Sequence, residues 1–234
     1  MKNKSIFITA TGTDIGKTYI SALLVKKMNE LGLDCGYYKP VLSGAKRQAD
    51  GSLVPGDCDF VLKTAGLNEK PTDCLSYCFE EAVSPHLASI RSGVKIERDV
   101  ILKDFLDKSN NHRYTVVEGA GGITCPLDLN GKILLLSDII KLMNIDVIIV
   151  ADGGLGTINS VLLTVEYAKS CNIGIKGIIL NNYKNNNFMH IDNKNQIEIL
   201  TKIPVIATVS NGDKDLNISK EDLVNIFRNS PRLV

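Results

Sequence analysis

Ten consecutive residues, Thr9-Ala-Thr-Gly-Thr-Asp-Ile-Gly-Lys-Thr18, carry the strongest chemical signal in the chain. They follow a short apolar run, Ser5–Thr9, and precede a segment with Ile20, Leu23, Leu24, Met28 and Leu31 on one helical face. A loop between a strand and a helix can point successive backbone N–H groups into a concavity that holds phosphate oxygens. The helix start adds unpaired N–H groups and the positive end of its dipole. Lys17 would then reach the β- and γ-phosphates of a nucleoside triphosphate, and the Thr18 hydroxyl would ligate Mg²⁺. The general P-loop pattern places its first glycine where Thr11 stands, so the match is incomplete there. The competing reading is an ordinary strand–turn–helix with a chance Gly-Lys-Thr; the strand before and the amphipathic helix after favour the phosphate loop.

A second constellation is Val116-Val-Glu-Gly-Ala-Gly-Gly122, an acid at the end of a strand followed by a glycine-rich turn. A Glu118 carboxylate there would face the phosphate loop, where P-loop enzymes place an acid for Mg²⁺. Mg²⁺ takes hard oxygen ligands and keeps several waters, so one or two acids plus Thr18 suffice. Alone, the segment reads equally well as a turn with Glu118 exposed.

These groups need a scaffold. The apolar runs Ser5–Thr9, Cys35–Lys39, Tyr114–Glu118, Asp146–Ala151, Lys176–Asn181 and Pro204–Val209 read as strands covered on both faces. Helical patterns alternate with them, near residues 97–107, 134–143, 158–170, 192–201 and 219–228 besides the first. Ser219-Lys-Glu-Asp222 reads as a capping-box start, and Ser84-Pro85 as an N-cap before Pro at the first helical position. The Asn/Lys-rich stretch Asn181–Asn195 reads as a solvated loop. The rhythm is βαβ repetition. It predicts an α/β fold, a mostly parallel sheet with helices on both faces, P-loop-like, in a single domain over residues 1–234. Ligands bind such sheets beyond the carboxyl ends of the strands.

Composition narrows the function. Lys plus Arg is 27 and Asp plus Glu is 26, a balance that argues against nucleic-acid binding by bulk charge. No apolar run reaches membrane-span length, and Lys2 and Lys4 lead into a run too short for a signal peptide, so a cytoplasmic protein with no membrane association is expected. Cys35, Cys58, Cys74, Cys78, Cys125 and Cys171 lack zinc-site spacing and read as buried reduced thiols.

With its two glycine-rich motifs the chain resembles the dethiobiotin synthetase family of ATP-dependent carboxylases, over most of its length and in four ordered segments. The family's loop has one more residue between its glycines, which puts the first at Ala10; Thr11, Thr13, Asp14, Gly16, Lys17 and Thr18 otherwise follow the pattern. Asp14 stands where many members have Glu. Gly36-Tyr-Tyr-Lys-Pro-Val-Leu-Ser-Gly44 is similar to the family's stretch with a catalytic Lys and a Ser, at Lys39 and Ser43. Glu118-Gly-Ala-Gly-Gly122 contains the metal-binding Glu. Gly154-Leu-Gly-Thr-Ile-Asn159 is similar to the helix start that holds the substrate carboxylate across a dimer interface, although its residues alone read as a plain glycine turn with Thr157 as N-cap.

The resemblance implies 7,8-diaminopelargonate, CO₂ and ATP as substrates, Mg²⁺ as cofactor, and a homodimer. It implies Lys17, Lys39, Thr13 and Ser43 as catalytic residues, and Thr18, Asp59 and Glu118 as metal ligands. Asp57, two residues from Asp59, is the rival, and either could instead cap a helix. Nucleotide contacts are implied for Thr13, Asp14, Ile15, Gly16, Lys17, Thr18, Tyr19, Glu118, Gly121 and Asn181, with Asn181 reading the base and Asn182 as its rival. Substrate contacts are implied for Thr13, Lys39, Ser43, Gly156, Thr157, Ile158 and Asn159. The segment Ala207-Thr-Val-Ser210 lacks the Pro that members often carry near the base. Ser84-Pro-His86 matches a family signature and reads here as a helix start, with no acid–base role assigned to His86. Two other classes compete. A cobyrinate diamide synthase-type ligase carries an added glutaminase domain, for which this chain is too short. A partitioning-ATPase-type switch carries an extra Lys early in its loop, which Thr9–Gly12 lacks.

Overall fold

The first strand, β1 (Lys4–Ala10), is buried along almost its whole length, because it sits at the middle of a seven-stranded sheet. A computed structural model describes residues 4–130 and 133–228; Lys2 lies outside the described residues. After β1 the chain runs through α1 (Lys17–Glu30), β2 (Cys35–Ser43), the short hairpin β3 (Lys46–Arg47) and β4 (Leu53–Val54), then α2 (Gly56–Ala65). A 3-10 turn leads to β5 (Leu75–Phe79), α3 (Pro85–Ser92), α4 (Arg98–Asn110) and β6 (Tyr114–Glu118). A second small hairpin, β7 (Pro126–Asp128) with β8 (Leu134–Leu135), precedes α5 (Leu136–Met143). The chain closes with β9 (Asp146–Asp152), α6 (Thr157–Ser170), β10 (Ile175–Asn181), α7 (Phe188–Thr201), β11 (Val205–Thr208) and α8 (Lys220–Ile226).

The main sheet has the order β11-β10-β9-β1-β6-β2-β5, and its pairings are all parallel. Side chains alternate between its faces with the strand period of two. Ile6, Ile8, Tyr37, Val116, Ile148 and Ile179 meet the layer of α1, α2 and α8. Phe7, Tyr38, Val117, Ile149 and Leu180 meet the layer of α3 to α7. Both faces are therefore apolar, which is why the strand segments are nearly continuous hydrophobic runs.

The α/β architecture and the six anticipated strands are present, with one strand more in the main sheet and the two short hairpins beside it. The edge strand β5 has the sequence Leu-Ser-Tyr-Cys-Phe and is mostly half-buried, so it lacks the apolar run of a central strand. The stretch anticipated as a loop from Asn181 to Asn195 is a loop only in its first half. Asn187 caps α7 there, accepting from Met189 N and His190 N, and the helix begins four residues earlier than its apolar pattern indicates. Ser219 accepts from Asp222 N at the start of α8, as its spacing suggests. Ser84 precedes Pro85 at the start of α3, but its hydroxyl makes no capping bond. Only Cys35, Cys58 and Cys74 of the six free cysteines are fully buried; Cys78, Cys125 and Cys171 are half-buried. No helix among the described residues is long and apolar enough to cross a membrane.

Candidate active site

The loop after β1 is shaped by two left-handed residues. Asp14 has φ 59° and Gly16 φ 99°. Asp tolerates that conformation, whereas most L residues are strained in it. A Cβ on Gly16 would also lie 2.1 Å from Asn181 Nδ2, so glycine is required on two counts. Ala10 lies within β1, paired with Val150, and has no positive φ that would demand the family's glycine. Gly16 directly precedes α1, and Lys17 is its first residue. The buried Lys17 ammonium donates to Gly12 O at 2.9 Å, which curls it back over the loop. Burial, then the nearby charge of Lys39, lowers its pKa below the usual lysine range.

Sheet order brings the remaining groups to this loop. β6 lies between β1 and β2, with Glu118 in register with Ile8. Glu118 is fully buried, and each of its oxygens is engaged. Oε1 accepts from Thr18 Oγ1 at 2.7 Å and from Lys39 Nζ at 2.6 Å; Oε2 accepts from the Tyr37 hydroxyl at 2.8 Å. Lys39 Nζ also lies 2.9 Å from Asp57 Oδ2. Burial acts to lower the Lys39 pKa, but Glu118 and then Asp57 outweigh it, so Lys39 is held above its ordinary range and charged. Burial, followed by the Glu118 charge, pushes the Tyr37 phenol well up and keeps it a donor.

These groups line a cleft of about 580 Å³ that also includes Thr13, Asp14, Gly16, Tyr19, Ser43 and Gly121. The structure thus gathers Thr13, Lys17, Thr18, Lys39, Ser43 and Glu118 in one place. A larger hollow of about 720 Å³, lined from α4, α5 and the β7–β8 hairpin, contains none of them.

The structure bears on three further groups of the expected positions. Asp57, not Asp59, faces the cleft: Asp59 lies two positions further along α2 and pairs with Lys63 at 2.7 Å on the helix surface. Asn181 is buried beside the loop, but its Nδ2 is spent on Ile15 O at 2.9 Å rather than left as a free base reader. Its rival Asn182 is exposed and donates to Asp152 Oδ2. Gly156, Thr157, Ile158 and Asn159 form the start of α6 and line no part of this cleft. Tyr37 went unassigned in the sequence, although a signal existed: it stands two residues before Lys39 on one strand, so both point to one face.

The chemistry of this donor set is oxygen-rich. Two carboxylates flank one ammonium, and a hydroxyl bonds one of them, beside a loop built for phosphate. Among the described residues no group of three or more His, Cys, Asp or Glu could cage a metal. Asp57, Glu118 and Thr18 instead fit Mg²⁺, which binds through one or two carboxylates plus substrate phosphates and water.

A parallel sheet with a strand–loop–helix phosphate cradle and a carboxylate on the neighbouring strand defines a P-loop nucleotide-binding protein. The model of the AAA domain family matches residues 4–214. A ParA family ATPase from Chlorobium tepidum TLS shares the fold, with a TM-score of 0.55 at 13% identity over 96% of this chain and 90% of that one. Closer in sequence is an ATP-dependent dethiobiotin synthetase BioD of Clostridium botulinum (strain 657 / Type Ba4), 48% identical over 96% of this chain and 98% of that protein. The BioD of Clostridium botulinum (strain Langeland / NCTC 10281 / Type F) is 46% identical over the same shares. The chain belongs to the ATP-dependent dethiobiotin synthetase family.

Proposed function

We propose that this protein is an ATP-dependent ligase that carboxylates 7,8-diaminopelargonate and closes the ring of dethiobiotin, a step of biotin synthesis. One observation carries the reading. Two lysines, Lys17 and Lys39, share one cleft with Thr18, Asp57 and Glu118 at the mouth of the phosphate loop. The family relationship supplies the substrates.

One amine of the substrate adds to CO₂ and gives a carbamate. A carbamate oxygen attacks the γ-phosphorus of ATP, releasing ADP and leaving a carbamic–phosphoric anhydride. The second amine attacks the carbonyl carbon, closes the ureido ring and expels phosphate. The protein's task is to hold the partners in line and stabilise negative charge as it develops. The loop N–H groups and Lys17 cradle the β- and γ-phosphates. Lys39 stays cationic and can neutralise the carbamate beside them. Thr13 and Ser43 offer hydroxyls at the same cleft for the carbamate or the amine. Thr18, Asp57 and Glu118 would hold Mg²⁺, which when bound neutralises charge on the β- and γ-phosphate oxygens. Asn181, Tyr19, Gly121 and the loop residues Asp14 to Gly16 complete the nucleotide side.

The start of α6 serves the substrate's carboxylate, which gains from free N–H groups and the helix dipole. The family resemblance implies that residues 156–159 act on the cleft of a second copy in a homodimer, and their position outside the cleft of their own chain agrees with that. Leu155, 91% exposed, and Leu163, 64% exposed and eight residues on, give this end of the molecule an apolar face for that contact.

The test is phosphate release from purified protein with diaminopelargonate, bicarbonate, Mg²⁺ and each nucleoside triphosphate in turn. Release that requires the diamine and bicarbonate is the expected result. Release indifferent to them, but stimulated by DNA, a membrane or a partner protein, would identify a switch of the partitioning type instead.

A further inference from the structure

We infer that Asn193 is a positioning residue for the substrate's carboxylate: from α7 its side-chain amide pins the glycine turn that begins α6. The inference rests on the proposed reading of residues 156–159 as the carboxylate anchor. Asn193 is 6% exposed and lines no part of the catalytic cleft. Its Nδ2 donates to Gly153 O at 3.0 Å and to Gly154 O at 2.9 Å. A buried carboxamide within a helix thus directs its donors at one turn of another element.

The geometry of the peptide group gives those bonds a consequence. In a planar trans peptide the C=O and N–H point in opposite directions. Holding Gly154 O toward α7 therefore aims the Leu155 N–H away from α7. The rest of the turn is held as firmly. Gly154 N donates to Asp152 Oδ1 at 2.7 Å, and Asp152 Oδ2 accepts from Asn182 at 2.7 Å. Gly153 N donates to Asn181 O at 2.8 Å, and a Cβ on Gly153 would meet His190 Nδ1 at 2.6 Å. At the helix start itself, Thr157 is 3% exposed and its buried hydroxyl has no partner among the described residues, a donor not yet spent. The same strand end reaches the phosphate loop, because the Asn181 side chain bonds Ile15 O. Asn193 thus braces the turn from α7, while β10 ties that turn to the nucleotide loop.

The experiment compares wild type with Asn193→Leu, which keeps the volume and removes both donors. Each enzyme is assayed with the natural diamine and with a diamine of equal length lacking the carboxylate. The expected result is a rise of about tenfold in KM for the carboxylated diamine in Asn193→Leu, the loss of roughly one hydrogen bond to a charged group. The kcat, the KM for ATP and the KM for the decarboxylated diamine stay within about twofold of wild type, since the change acts only on carboxylate binding. Should Asn193→Leu fail to fold, Asn193→Ser, smaller and polar, must show the same selective rise. An unchanged KM for the carboxylated diamine, in an enzyme that still prefers it over the decarboxylated one, overturns the role of Asn193. An equal rise for both diamines overturns it too, showing a merely structural residue. If wild type does not distinguish the two diamines, the carboxylate anchor itself is wrong.

Discussion

The Lys39 ammonium lies 2.6 Å from Glu118 Oε1, with the Lys39 side chain 5% exposed and that of Glu118 fully buried. The two residues are 79 positions apart and meet because β2 and β6 are neighbours in the sheet. The pair is both part of the fold and part of the site, which makes the two roles separable by experiment.

Replacing Lys39 by Gln strands the buried Glu118 charge, leaving only Thr18 and Tyr37 as donors. Breaking one side of a buried pair costs about 3–5 kcal/mol, and loss of the cation should cut turnover by about 10²–10³. Joining Lys39→Gln to Glu118→Gln removes the stranded charge, so denaturant titration should show much of the stability restored while activity stays lost. A Lys39→Gln enzyme with near-normal turnover would remove Lys39 from the chemistry.

Asp57 and Asp59 make a paired test. Asp57→Asn should weaken the Mg²⁺ dependence of turnover by at least about tenfold, as loss of a charged ligand does. Asp59→Asn should leave the Mg²⁺ titration unchanged, since it removes only a surface i,i+4 pair with Lys63 worth roughly 0.3–0.5 kcal/mol. The reverse pattern would return the ligand role to Asp59.

Gly16→Ala places a side chain at φ 99° and against Asn181. The left-handed conformation alone costs about 1–2 kcal/mol, and the clash adds to it. ATP affinity measured by calorimetry should fall with stability. Because the clash involves one partner, Gly16→Ala should cost less in an Asn181→Ala background; strictly additive effects would show that the contact carries no strain.

The amino ends of β2 and β6, away from the cleft, predict a pH dependence. His112, just before β6, meets Asp34, just before β2, at 2.9 Å, and Glu69 at 3.4 Å; Lys108 also pairs with Glu69. The neighbouring Glu69 carboxylate raises the His112 pKa above 6.5, against burial and with help from Asp34. The neighbouring His112 ring carries Glu69 from 4.5 down to about 2, against burial and with help from Lys108. The His112 contribution is complete below 6.5 and is lost as pH rises through its raised value. The Glu69 contribution is complete above 4.5 and fades as pH falls toward about 2. The Tm difference between wild type and His112→Gln should therefore be largest near about pH 5.5 and shrink at alkaline pH. Parallel curves from acid to alkali would refute the coupling.

The sheet and the phosphate loop were legible in the chain because both are written in contiguous residues: apolar runs for buried strands, and Gly-Lys-Thr between a strand and a helix. The edge strand β5 was not, since its half-buried residues carry no run. The start of α7 was hidden because Asn187 and its polar neighbours resemble a loop until the cap is seen. Lys39 and Glu118 were identified one at a time, but their contact depends on strand order, which spacing does not encode. The choice between Asp57 and Asp59 turned on helix phase: two residues along α2 is a rotation of about 200°, which moves a carboxylate from the cleft to the surface. Asn193 left no mark at all, since its partners are carbonyl oxygens 40 and 39 residues away.

The central place of β1 governs how the molecule can be assembled on the ribosome. Its partners, β6 and β9, begin at Tyr114 and Asp146. β1 must therefore wait with its β6 edge bare until Tyr114–Glu118 has emerged, and with its β9 edge bare until Asp146–Asp152 follows. Such long-range closure is slow and leaves sticky intermediates, so yield on expression should depend on temperature and chaperone supply more than the stability of the finished enzyme would suggest.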